Sequence, residues 1–143
     1  MQIFKKALFY TISFTWGVLM SVIGLIVIFV SLPFKRVHFF HSRVYAEWGQ
    51  HWGGVSLGCF FVCDKNSSKT LKLHECGHGI QNCIWGPLML FVIFIPSATR
   101  YWYRELRYNR KGLTPPTQYD DIWFEKQATK WGNMLEVIWQ QKY

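Results

Sequence analysis

The sequence predicts a mainly α membrane protein with a small β element, one N-terminal transmembrane helix being followed by a compact α+β part. Three observations carry that expectation. Residues 7–32 hold no charge and are flanked by Lys5 and Lys6 before and by Lys35 and Arg36 after. Half of the residues are hydrophobic and 19% are aromatic, a load that suits lipid contact better than a soluble surface. One run of β-branched and aromatic residues, 55–63, stands between a Gly-Gly turn signal and a polar loop, while the later segments carry helical periodicity.

At 143 residues the chain makes one body, in which any membrane segment and any site must be shared. It divides into a transmembrane helix, 1–33, and a membrane-associated domain, 34–143. As one helix, residues 7–32 reach roughly 39 Å, enough to cross a hydrocarbon core of about 30 Å. The run is too long for the core of a cleaved signal peptide, and Val30-Ser31-Leu32-Pro33 is a poor cleavage site. Residues 34–54 mix basic, aromatic and glycine positions and suit an interfacial segment without a firm element. Residues 55–63 read as a strand at the edge of a small sheet.

A helix is expected over 70–85, where Gly86-Pro87 interrupts it. The second apolar run, 84–98, reaches only about 22 Å as a helix and is short of a bilayer. It is expected to re-enter or lie in the interface. Residues 100–111 interleave aromatic and basic side chains, which after an apolar run marks headgroup level rather than a nucleic-acid groove. A last helix, 120–141, carries Phe124, Ala128, Trp131, Leu135 and Ile138 along one stripe.

The net charge of +8 points to anionic lipid as a partner, because the basic residues cluster beside apolar segments; nucleic acid is not expected. The cysteines Cys59, Cys63, Cys76 and Cys83 have no CxxC spacing and are expected as free thiols.

The residues that carry chemistry are His74-Glu75-Cys76-Gly77-His78. Histidines at i and i+4 of a helix project from one face, so their imidazoles can converge on one zinc ion. Zinc brings the pKa of its water towards neutrality, and Glu75, next to the first histidine, can take that proton and pass it to the departing amine. A catalytic zinc needs a third protein ligand, for which Glu105, Asp120, Asp121, Glu125 and Glu136 are available. Glu125 is the best placed: Ala128 and Gly132 share its face and let that helix approach the motif helix closely. The bland alternative is a glutamate in water paired with Thr129 or Lys130.

In His74-Glu75-Cys76-Gly77-His78-Gly79-Ile80-Gln81, Gly86-Pro87-Leu88, Ile95-Pro96-Ser97 and Trp123-Phe124-Glu125-Lys126-Gln127-Ala128, the chain resembles the gluzincin metallopeptidases. The likeness covers roughly residues 55–132 and is strongest to minimal single-domain members and small membrane-associated bacterial relatives. It implies a zincin-like catalytic part, one zinc ion held by His74, His78 and Glu125, and Glu75 as general base and acid. It also implies that Val55, Ser56, Leu57, Gly58, Cys59 and Phe60 form an edge strand that hydrogen-bonds an extended peptide or protein substrate. The implied location is a bacterial inner membrane, and the basic C-terminal part favours a catalytic part facing the cytoplasm. Thr129 stands where many gluzincins carry an aspartate that orients a histidine. For the oxyanion of peptide hydrolysis, Tyr101, Tyr103 and Tyr119 remain open.

If Glu125 shares a metal with the two histidines, both ends of 84–98 must reach one region, because residues 99–125 contain no returning apolar segment. The expected geometry is a proline-bent segment with zinc at or just below the membrane surface. Two competing readings stand beside this one. His38 and His41 form an HxxH pair such as histidine-box membrane oxidoreductases use, although those enzymes need more than the five histidines present. Alternatively the motif is vestigial in a non-enzymatic, toxin-like or partner-binding membrane protein.

Overall fold

The computed structural model describes residues 2–140. It is mostly helical around a four-stranded sheet. Helices α1 (Gln2–Thr15) and α2 (Val18–Ser31) lead into strands β1 (Val37–Phe40), β2 (Arg43–Glu47), β3 (Gly54–Leu57) and β4 (Phe60–Cys63); helices α3 (Lys69–Trp85), α4 (Ile95–Arg107) and α5 (Trp123–Gln140) follow. The sheet order is β1-β2-β4-β3, with β2 and β4 parallel and the outer pairs antiparallel. Strand β4 is buried along its whole length. Phe60 and Val62 pack in one cluster with Met20 and Ile28 of α2, and Phe61 and Cys63 in another with Cys76 of α3. A strand covered on both faces reads as a continuous apolar run, which is why 60–63 shows no alternation.

The expected single transmembrane helix is corrected. Residues 7–32 are split at Trp16-Gly17, and the two halves are bent by 99°. Among the described residues no single helix is long and apolar enough to cross a membrane. The cause is a tertiary clasp. A Cβ on Gly17 would fall 3.0 Å from Cγ of Asn82, whose side-chain N–H₂ donates to the Gly17 carbonyl at 3.3 Å, and the Trp16 indole N–H donates to the Ile84 carbonyl at 3.2 Å. A backbone this close to another helix excludes a side chain, so glycine sits at the break.

Residues 34–54 hold a β1–β2 hairpin that the sequence reading left unassigned. Its turn carries His41 at φ 52° instead of a glycine, so the usual punctuation is missing. The strand expected over 55–63 is itself a hairpin. Gly58-Cys59 forms a two-residue turn with positive φ (71°) at its first position, where glycine is favoured. Val55, Ser56 and Leu57 therefore lie on the edge strand β3, whereas Gly58 and Cys59 belong to the turn and Phe60 to the interior strand β4.

Ser68 caps α3, its hydroxyl accepting from the Leu71 N–H at 3.1 Å. At the far end the chain turns through Gly86–Leu88, winds a π-helical turn over Leu90–Phe94 and enters α4. The helical stretches on either side of this break are bent by 116°. The chain leaves helical geometry at Gly86 (φ 52°, ψ −127°), and the bend lies between the stretches Lys69–Leu88 and Leu90–Lys111; Pro96 sits in the first turn of α4, where a missing N–H is tolerated. After this bend Ser97 comes within hydrogen-bond reach of Glu125 on α5.

Helices α3 and α5 cross at near backbone contact. A Cβ at Gly77 would fall onto the carbonyl of Ala128, 2.7 Å from its carbon, and one at Gly132 onto the carbonyl of Leu73, 2.6 Å from its carbon. The buried face of α5 is Phe124, Glu125, Ala128 and Gly132, while Ile138 of the expected apolar stripe is exposed. The small residues, more than the large ones, set where α5 lies.

Candidate metal centre

His74 and His78 stand one turn apart on α3, and the close crossing brings Glu125 of α5 against them. His74 Nε2 lies 3.0 Å and His78 Nε2 3.1 Å from Glu125 Oε2, and the two Nε2 atoms are 3.1 Å apart. Among the described residues this is the one group of three metal-ligating side chains whose atoms converge so closely. Tetrahedral zinc with bonds of about 2.0–2.1 Å separates its ligand atoms by about 3.3 Å, so the three atoms need part by only a few tenths of an ångström. Glu125 is fully buried and His78 nearly so.

The outer nitrogens fix which ring atoms face inward. The Gln81 side-chain N–H₂ donates to the Phe124 carbonyl at 2.8 Å and to Gln127 Oε1 at 2.9 Å. Its oxygen therefore faces His78 Nδ1 at 2.6 Å and can only accept. His78 Nδ1 carries the proton, and in the neutral ring Nε2 presents a lone pair. His74 Nδ1 lies 2.8 Å from the Thr129 hydroxyl. The Thr129 hydroxyl is thus the outer partner of His74. With both rings in the tautomer that a metal requires, two Nε2 lone pairs and a carboxylate oxygen would converge on one ion. The residues fit a zinc ion.

Electrostatics separate the two carboxylates. Burial pushes the Glu75 carboxyl up to about 7, the neighbouring His74 opposing the rise and the charge of Glu125 adding to it. Burial acts the same way on Glu125, but hydrogen bonds from His74 and His78 outweigh it and hold that carboxyl well below the usual range. Glu75 Oε2 has no hydrogen-bond partner among the described residues. Gly54 of β3 lets the sheet edge approach: a Cβ there would stand 2.8 Å from Glu75 Oε1.

These groups share one cavity of about 690 Å³. Gly54, Val55 and Ser56 of β3, His74, Glu75 and His78 of α3, and Met89, Ile93, Phe94 and Ser97 line it together. Among the described residues strand β3 pairs only with β4, which leaves its other edge without a strand partner. Of the expected substrate-binding residues, Val55 and Ser56 line the cavity and Leu57, Gly58, Cys59 and Phe60 do not. Of the three tyrosines left open, Tyr119 and Tyr101 line it; Tyr103 is exposed beside Tyr108. The Tyr119 hydroxyl lies 3.0 Å from Ser97 Oγ, and Ser97 donates to Glu125 Oε1. Arg100 and Arg104 of α4 hold the loop that carries Tyr119 by donating to the carbonyls of Thr117, Gln118 and Tyr119.

The other histidines lie elsewhere. His38 faces Glu47 at 3.7 Å and His41 stacks on Trp139 at 4.1 Å, so the HxxH pair does not join the site. Of the remaining acidic candidates, Glu105 accepts from Asn109, Asp121 caps the turn at Gln118 and Glu136 pairs with Lys69. Sequence reasoning missed the parts played by Gln81 and Ser97. Gln81 was within reach, since three residues after His78 it shares that helical face; Ser97 carried no local signal of its contact with Glu125. Neither a known protein family, nor a curated protein, nor a solved structure matches the chain.

Proposed function

We propose that the chain is a membrane-embedded, zinc-dependent endopeptidase. The observation that carries this reading is the convergence of His74, His78 and Glu125 at 3.0–3.1 Å in the same cavity as the buried, unpartnered Glu75 carboxylate oxygen and a free strand edge. A buried carboxylate without a partner is costly and is retained where it has work to do. Zinc, when bound, supplies a Lewis acid that polarises the scissile carbonyl and makes water a better nucleophile near neutral pH. Glu75 Oε2 takes the proton of the attacking water and returns it to the departing amine. The free edge of β3 holds the peptide extended through its backbone, with Val55 and Ser56 beside the cavity.

Membrane embedding is supported by surface chemistry. Ile26, Phe29, Val30, Leu88, Phe91 and Ile95 are all exposed, and basic residues flank both bent apolar pairs. Such a surface is large for a chain in water. In this reading the two bent pairs enter the bilayer and the basic, aromatic α4 lies at anionic headgroups.

The reading is tested by metal analysis and peptide cleavage together. Wild-type protein is expected to carry one zinc per chain, His78→Ala and Glu125→Ala none. Glu75→Ala should keep its zinc and lose cleavage. Unchanged cleavage in Glu75→Ala refutes the mechanism.

A further inference from the structure

The second oxygen of Glu125 has its own arrangement. Oε1 is bonded by Ser97, in the first turn of α4, while Oε2 faces the two histidines. An ionised, metal-ligating carboxylate only accepts, so Ser97 is the donor. Ser97 has one hydroxyl proton, and Glu125 takes it. The Tyr119 hydroxyl, 3.0 Å away, therefore donates to Ser97 Oγ. The result is a directed chain, Tyr119 to Ser97 to Glu125 Oε1, that occupies the oxygen not aimed at the histidines. Thr129 and Gln81 serve the two histidines in the same way, so each of the three ligating side chains has its own outer partner.

We propose that Ser97 is a positioning residue that restricts Glu125 to one ligating oxygen, and that through it the bent apolar segment takes part in forming the metal centre. The inference rests on the zinc reading above. A carboxylate that binds through both oxygens fills coordination space that a catalytic zinc leaves open for water and substrate. Holding Oε1 with a hydroxyl prevents this. Because Ser97 follows the π-helical turn and the bend after α3, its hydroxyl reaches Glu125 only when that segment takes this bent course.

The test uses the full chain with zinc alone and with cobalt(II) in its place. Wild type, Ser97→Ala, Ser97→Cys and Ser97→Thr are compared by chelator competition and by the visible absorption of the cobalt form, with far-UV circular dichroism as the folding check. Ser97→Ala and the near-isosteric Ser97→Cys are expected to bind zinc about 10–100-fold more weakly. Their cobalt bands should weaken, as they do when coordination number rises. Ser97→Thr, which keeps the hydroxyl, should retain the wild-type spectrum and most of the affinity. Tyr119→Phe leaves the Ser97 proton on Glu125 and should keep the spectrum. Wild-type affinity and spectrum in a folded Ala or Cys variant overturn the proposal while leaving the zinc reading intact, as does a Thr variant as impaired as Ala. A wild type that binds no zinc overturns both.

Discussion

Replacing Gly77 by alanine places a methyl carbon against the Ala128 carbonyl, 2.7 Å from its carbon. Carbon atoms in contact prefer about 3.5–4.0 Å, so α3 and α5 must part by about 1 Å at this point. The obstacle is helix backbone, which cannot rotate away as a side-chain tip can. Overpacking of this kind costs typically 1–3 kcal/mol, and a rigid target argues for about 3. Alanine returns about 1 kcal/mol of helix propensity, which leaves a net loss of about 2 kcal/mol. The same movement carries Glu125 away from the histidines, from 3.0–3.1 Å to about 4 Å once the ~1 Å parting is added. The prediction is a lower midpoint in chemical denaturation together with loss of zinc binding. Lys130→Ala, on the exposed face of α5, is the control and should change neither. Wild-type stability with zinc retained in Gly77→Ala would show that the helices do not meet here, and the account of the crossing would fall.

Three further outcomes follow from the same geometry. Gln81→Met strips His78 Nδ1 of its acceptor and the Phe124 carbonyl of a donor, so stability should fall by about 1–3 kcal/mol and zinc affinity by about 10–100-fold, measured by denaturation and chelator competition. Gly54→Ala places its Cβ 2.8 Å from Glu75 Oε1, and its nearest atoms all belong to Glu75; zinc content should be unchanged while kcat for peptide cleavage falls at least tenfold, part of the roughly 10²–10⁴-fold that a general base contributes. Purified chain should float with phosphatidylglycerol vesicles, and paired Phe29→Asp and Phe91→Asp substitutions on the exposed apolar surface should reduce flotation. Equal flotation of that variant counts against bilayer contact by these segments.

The site was more legible in the sequence than the fold. The spacing of His74 and His78 and the small face of Glu125, Ala128 and Gly132 are local helical patterns, and each survives in the structure because a helix fixes its own periodicity. The need for Glu125 also foretold an angled course over 84–98, since the chain had no other way to bring α5 back. What failed was decided by contacts remote in sequence. The run 7–32 reads as one helix until Asn82 and Ile84, some 65 residues later, clasp Trp16 and Gly17. The β1–β2 hairpin hides behind a histidine in a turn position, and the Ser97 contact exists only because the first turn of α4 comes within hydrogen-bond reach of Glu125. Hydropathy along the chain cannot see a partner that distant.

In the proposed centre His74, His78 and Glu125 hold a zinc ion that Glu75 does not help to bind. Metal content of the purified chain, measured side by side for wild type, Glu125→Ala and Glu75→Ala, addresses it most directly. One zinc per chain in wild type and Glu75→Ala and none in Glu125→Ala is the predicted result. Equal metal content in wild type and Glu125→Ala, or none in any of the three, would contradict it.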